Sequence, residues 1–290
     1  MKNAKKLLSI LLVLILCLSV SVFAFAEDVI VLPDGVSLNV LSPEDSIGIN
    51  SGEVGTNLGT IYSVSETGVV HYNYGTISDN HGEVESNSGI IDFNCGDVTT
   101  NDGTIDFNNN DFSHAGDGSL VGGNVHENNG IVENNGTGEI NVECVIDINN
   151  GLVEANNAGG IVKENYGEVV NVGGTIEGNI YNEESGEVTK QSITAEGTWF
   201  GLNIFKNESE TDTSNILLQV NGGASITVPS LFTRTGFTLL GYANDRAATS
   251  PVFAVGSNTT VTSPMMVFAV WQQDKAEEPA PETPVAPATP

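Results

Sequence analysis

Residues 80–107 read NHGEVESNSGIIDFNCGDVTTNDGTIDF, and a seven-residue unit, Asn-x-Gly-x-(Val/Ile)-x-x, runs through them four times. Its glycines are Gly82, Gly89, Gly96 and Gly103, and two residues after each comes a β-branched side chain: Val84, Ile91, Val98 and Ile105. Upstream, from about Asn50, the same unit supplies Gly52, Gly59, Gly68 and Gly75 with Val54, Ile61, Val70 and Ile77. The step is seven residues throughout, except for the nine between Gly59 and Gly68. Self-similarity at a fixed period marks a chain that builds one structural unit repeatedly and stacks it.

A helical heptad does not fit, because Gly and Asn recur inside every unit and both disfavour helix. One reliably apolar position per unit is also too few for a coiled coil, which needs two. In an extended backbone, Gly82, Val84 and Ser86 share one face while Glu83 and Glu85 share the other. Continued along the repeat, this alternation places Thr56, Ser63, Tyr72, Phe93, Thr100 and Phe107 on the inner side, with Asp79 as an exception. It turns Glu53, Glu85, Asp92, Asp97 and Asp106 outward. Asn and Gly tolerate the left-handed backbone that a sharp corner demands, and asparagines stacked in register can hydrogen-bond along a ladder. The expected class is therefore all-β: a parallel β-solenoid whose coils lie about 4.8 Å apart. Strict alternation of Val and Ile favours two units and fourteen residues per coil, with like stacked on like. Tyr72 and Phe93, twenty-one residues apart, suit three.

The repeat slackens between Asn108 and Gly122, resumes at Gly123 and Gly130, loses phase over Thr137–Asn149, and returns at Gly151, Gly160, Gly167 and Gly174. A last echo lies at Gly186. The solenoid is expected over 48–190, with 27–47 as an end coil or cap, since stacked repeats need an atypical terminus to shield an open edge.

The chain opens with Lys2, Lys5 and Lys6, then an apolar run from Leu7 to Phe25 that closes on Ala24-Phe25-Ala26. These are the three regions of a secretory signal peptide, expected over 1–26 and cleaved after Ala26. No later stretch is long and apolar enough to span a bilayer. The expected location is extracellular, secreted or at the cell surface. At the other end, 273–290 forms a proline-rich tail ending EEPAPETPVAPATP, an extended spacer that ends a released protein or leads to an anchor. Loss of the three leader lysines takes the net charge from −28 to −31, which argues against nucleic acid and anionic membranes as partners. Cations, basic surfaces and neutral sugars fit that charge, and surplus acid also keeps an exported protein soluble. Cys17 leaves with the leader; Cys95 and Cys144 suit either one disulfide or two isolated thiols.

Beyond Thr198 the Asn-Gly rhythm stops, and aromatics, threonine and the chain's two arginines appear. Val220–Trp271 contains the core FTRTGFTLLGY (Phe232–Tyr242), a polar turn Asn244-Asp245-Arg246, the segment VGSNTTVTS and a closing Val267-Phe268-Ala269-Val270-Trp271. This stretch resembles the Listeria-Bacteroides repeat of bacterial surface proteins, although Tyr242 stands where that family usually has Trp. The resemblance implies a small β-grasp-like module over 198–272, found on secreted and surface-attached proteins as a spacer or interaction module. It carries over no catalytic residue.

Right-handed β-helices often cleave polysaccharides, and such sites need carboxylates as acid and base or nucleophile, or a basic residue for elimination. Between Asn50 and Lys190 there is no arginine, and Lys163 and Lys190 are the only lysines, which argues against eliminative lyase chemistry. Abundant acids leave room for a carboxylate-only hydrolase. His71, His81, His114 and His126 have no spacing that pairs them on a metal or against a nucleophile. Outward carboxylates on neighbouring coils suit at most weak, diffuse calcium binding. The expectation is a non-enzymatic surface or secreted repeat protein, without catalytic or cofactor-binding residues, acting in adhesion, display or spacing through a glycan, cell-wall or host-surface partner. The rival is a polysaccharide-binding or polysaccharide-hydrolysing β-helix.

Overall fold

The computed structural model describes residues 31–108, 122–136 and 143–275. The leader, most of the proline-rich tail, His114 and most of the first slackened stretch lie outside the described residues. Those described are all-β, with no helix. Strands alternate between two faces of a rod. The even face holds β2 (Ser37–Leu41), β4 (Glu53–Asn57), β6 (Val69–Asn73), β8 (Glu83–Asn87), β10 (Asp97–Asn101), β12 (Asn124–Asn128), β14 (Cys144–Asn149), β16 (Gly160–Asn165) and β18 (Thr175–Asn182). The odd face holds β1 (Val31–Leu32), β3 (Ser46–Asn50), β5 (Thr60–Val64), β7 (Thr76–Asn80), β9 (Ile90–Asn94), β11 (Thr104–Asn108), β13 (Ile131–Asn135), β15 (Leu152–Asn156) and β17 (Glu168–Asn171). Each strand pairs in parallel with the strand two along, so one coil is two units. Val70, Val84, Val98 and Val125 align on the even face; Ile61, Ile77, Ile91 and Ile105 align on the odd. The alternation of Val and Ile thus reports the coil directly: like side chains of equal shape stack on themselves. Residues 31–45 belong to the same winding, because β1 and β2 pair with β3 and β4 in register.

The interior departs from strict alternation. Val84 and the residue three further on, Asn87, are both fully buried, while Tyr72, Phe93 and Phe107 are 51%, 42% and 38% exposed. The expectation that these aromatics face inward is overturned. Each five-residue strand turns at its end, so the terminal Asn swings into the rod and the residue before it swings out. The narrow interior accepts one branched aliphatic and one amide per strand.

Burying an amide costs free energy unless it is hydrogen-bonded. Here each amide serves the next. On the even face, Nδ2 donates to the next Oδ1 through Asn57, Asn73, Asn87, Asn101, Asn128, Asn149 and Asn165, at 2.7–2.9 Å. On the odd face the chain is Asn80, Asn94, Asn108, Asn135, Asn156 and Asn171, at 2.7–2.9 Å. The ladder has direction, so its first Oδ1 lacks a donor from below. At Asn50, Asn57 and Asn80 the register partners below are Leu32, Leu41 and Val64. At those three rungs the backbone N–H of Gly52, Gly59 or Gly82 donates to the Asn Oδ1 instead, at 3.1–3.2 Å. The top of the even ladder is closed by Gln219, whose Oε1 accepts from Asn165 Nδ2 at 2.9 Å while its Nε2 donates to the Asn165 carbonyl at 2.7 Å.

The repeat glycines serve closeness rather than left-handed turns. None of the eight from Gly52 to Gly103 has a positive φ. A Cβ on Gly89 would lie 2.1 Å from the Gly75 carbonyl oxygen, and one on Gly103 would lie 2.1 Å from that of Gly89. Glycine therefore stacks on glycine at the corner because nothing larger fits between successive coils, which corrects the left-handed-corner expectation.

The rod ends in antiparallel strands. β19 (Glu187–Ile193) folds back on β18, and β20 (Gly197–Phe205) crosses β17 with Trp199 opposite Val169. Trp199 and Ile193 close the rod's hydrophobic column, whereas Phe200, Leu202 and Ile204 belong to a second core. That core sits on β20, β21 (Asn215–Asn221), β23 (Phe237–Ala243), β24 (Phe253–Ala254) and β26 (Met265–Gln273), with β22 (Ser225–Thr227) and β25 (Asn258–Thr260) as a small separate ribbon. Across the sheet the order is β21-β20-β26-β23-β24, with β20 and β26 parallel at the centre and the other pairs antiparallel. This is a β-grasp-like arrangement built without a helix. Tyr242 is buried in it, its hydroxyl donating to the Pro229 carbonyl and accepting from the Leu231 N–H, and burial pushes that phenol up to about 12. Phe268, by contrast, points away from this core and stacks on Phe205 at 5.2 Å.

Two substitutions test this account by urea denaturation. Asn87→Ala strands the Asn73 donor and the Asn101 acceptor and is expected to cost about 2–5 kcal/mol, with Asn87→Val costing less because the valine fills the volume, as Val64 does. Gly103→Ala forces two coils apart and is expected to cost about 1–3 kcal/mol or more. A loss under about 0.5 kcal/mol in either alanine variant would contradict the packing described.

Candidate functional surface

The two rod faces carry different chemistry. On the even face several carboxylates have side-chain partners. His71 Nδ1 lies 2.9 Å from Glu85, and Asp147 receives both His126 Nδ1 at 2.8 Å and Lys163 Nζ at 2.7 Å. Asn124 donates to Asp97 at 3.0 Å and Ser37 to Glu53 at 3.0 Å. Burial alone would raise Asp147, but the hydrogen bonds from Lys163 and His126 outweigh it and hold the carboxyl below the usual carboxylate range.

The odd face is different. Ile90 and Ile131 flank Thr104 in one outer column, at 45% and 36% exposure. Phe93 and Phe107 form another, with ring centroids 5.1 Å apart and planes 11° from parallel. Between these columns, and alternating with the buried branched residues, stand Asp92, Asp106, Glu133 and Glu154, one per coil. None of the four makes an ion pair among the described residues. Asp106 titrates above the usual carboxylate range because it is partly buried and because Asp92 stands next to it with the same charge.

The sequence reading named carboxylates individually, and the structure sorts them. Asp92 and Asp106 fall in one column of the odd face, while Glu53, Glu85 and Asp97 lie on the even face. Glu133 and Glu154, missed as members of this column, follow once the coil length is known, because each sits one residue after the buried branched position. Among the described residues no three His, Cys, Asp or Glu side chains are grouped to hold a metal ion. Cys95 and Cys144 are not bridged, and burial pushes the Cys144 thiol up to about 11.

Two clefts lie at the junction of rod and C-terminal sheet. One, of about 210 Å³, is polar and gathers Lys163 and Lys190 with Glu177 and Asn179. Lys190 there stands 3.7 Å from Glu177. The other, of about 280 Å³, is largely apolar and is lined by Ile180, Tyr181, Trp199, Val220 and Ile226.

Comparison with protein-family models, with curated proteins and with solved structures found no match.

An NMR titration of the carboxylates checks the electrostatics. Asp106 is expected above, and Asp147 below, the ordinary aspartate range. Because the folded Asp106 value is raised, its contribution to stability grows as pH falls through that value. Asp147 is depressed, so its contribution is present at neutral pH and is lost as pH falls through its folded value. Asp92→Asn should move the Asp106 midpoint part of the way down; an unmoved midpoint would show that the column does not interact.

Proposed function

We propose that this chain is an exported, non-catalytic rod that presents its odd face to a partner outside the cell, in adhesion or display. The observation that carries the reading is the set of exposed apolar side chains, Ile90, Phe93, Phe107 and Ile131, fixed in columns on one face of a rigid stack. Exposed apolar groups held together on a stiff scaffold mark interaction surfaces. The amino-terminal leader pattern and the strongly acidic composition support an extracellular address, as does the resemblance of Val220–Trp271 to Listeria-Bacteroides modules. In this arrangement the C-terminal sheet and proline-rich tail act as the spacer that sets the rod away from its point of attachment.

A polysaccharide-active β-helix is the second reading, and one observation favours it. Asp106, with its raised titration, stands one coil from Asp92, and the backbone spacing of about 4.8 Å is near the carboxyl separation of retaining glycosidases. The stacked pair Phe93 and Phe107 beside them would suit a sugar ring. The same carboxylates lie on an open sheet face rather than in a cleft that excludes water, which weakens this reading.

A binding array of extracellular glycans, cell-wall fractions and host-surface proteins separates these readings, using the leader-less chain. Display predicts a ligand whose retention falls at least about tenfold in Phe93→Ala/Phe107→Ala, without product release. Sugar release that disappears in Asp106→Asn would favour the hydrolase. No retained ligand of any class would leave a passive spacer.

A further inference from the structure

We infer that the odd face is a docking surface for a basic amphipathic helix of a partner protein. This deepens the display reading and rests on it. Two features coincide there. The first is apolar: Phe93 and Phe107 stack as one exposed ridge, with Ile90 and Ile131 as a second ridge across the strand. The second is electrostatic. Asp92, Asp106, Glu133 and Glu154 run between those ridges without an ion pair among the described residues, while in the corresponding column of the even face Glu85 lies against His71 and Asp147 against His126 and Lys163. Burial and the like charge of Asp92 both raise Asp106, and an incoming cation would relieve the second. Charge complementarity therefore selects a basic partner over an acidic or neutral one.

The spacing selects its form. Carboxylates on successive coils recur about every 4.8 Å along the rod. A helix lying along the axis brings a side chain to the same line about every 5.4 Å. Over four coils that is a mismatch of about 2 Å, within the reach of flexible Lys or Arg stems. An extended strand along the same line repeats at about 6.8 Å and falls out of step within two coils. Leucine-sized groups either side of the basic stripe would then pack on the Phe and Ile ridges, as an amphipathic helix packs into a groove.

The test uses the leader-less full chain and three probes. The first is a labelled helical peptide of about eighteen residues with one lysine per turn, flanked by leucines. The second is its glutamate counterpart, and the third a panel of soluble oligosaccharides. Fluorescence anisotropy is expected to show binding of the lysine peptide alone, weakening as salt rises. Asp92→Asn/Asp106→Asn/Glu133→Gln and Phe93→Ala/Phe107→Ala are each expected to weaken binding at least tenfold. The even-face control Glu83→Gln/Glu85→Gln/Asp97→Asn, which removes as many charges, should change it less than twofold. Without any variant, amide shifts in the wild-type chain should cluster at 90–93, 104–107 and 131–134. Equal losses from both faces would overturn the proposal, showing attraction to the acidic coat alone. An oligosaccharide bound at Phe93 and Phe107 in place of the peptide would overturn the helix and keep display. If no probe binds here and the broad array also retains nothing, display itself fails.

Discussion

The amide ladder is the interaction on which the rod depends. Two columns of buried asparagines run along it, and each rung between the ends accepts from one neighbour and donates to the other. A two-sided coil of fourteen residues leaves little room inside, so the interior cannot be filled with large apolar side chains as a globular core is. One branched aliphatic and one amide per strand fill it, and the amide is tolerated only because the next coil presents an identical partner in register. Register and polar satisfaction are thus one constraint: a slip of one residue would strand every buried amide at once.

Such a ladder must begin and end, and the chain solves both problems locally. Where an aliphatic residue replaces the rung below, at Leu32, Leu41 and Val64, a glycine N–H turns to the bare amide oxygen. At the other end Gln219, from the C-terminal sheet, supplies one more amide at the height of the next rung. Trp199 seals the aliphatic column beside it. The C-terminal sheet is therefore joined to the rod through both kinds of interior contact, polar and apolar, and strand β20 divides its side chains between the two cores.

Much of this was legible in the sequence. The heptad named strand over helix, and the alternation of Val54, Ile61, Val70 and Ile77 held the coil length. What alternation could not show was the inward turn of the asparagine, since a period of two places Phe93, not Asn94, beside Ile91. The bend at the strand end is set by the corner and by the hydrogen bond available only after stacking, and neither is local. The glycines misled for a similar reason: at Gly89 and Gly103 the demand is for space between coils, and the neighbour that imposes it lies fourteen residues away. The candidate surface was half legible. Alternation alone turns Asp92 and Asp106 outward, but their column, its unpaired state and its apolar borders emerge only when the coils are laid one on another.

The most direct measurement is hydrogen exchange of the asparagine side-chain amides, resolved by NMR with through-space contacts between them. The account predicts slow exchange for Asn73, Asn87, Asn94 and Asn101, fast exchange for the exposed Asn129 and Asn150, and contacts from Asn73 to Asn87 rather than to Asn94. Uniformly fast exchange, or contacts from Asn73 to Asn94 and from Asn80 to Asn101 in place of those to Asn87 and Asn94, would contradict it.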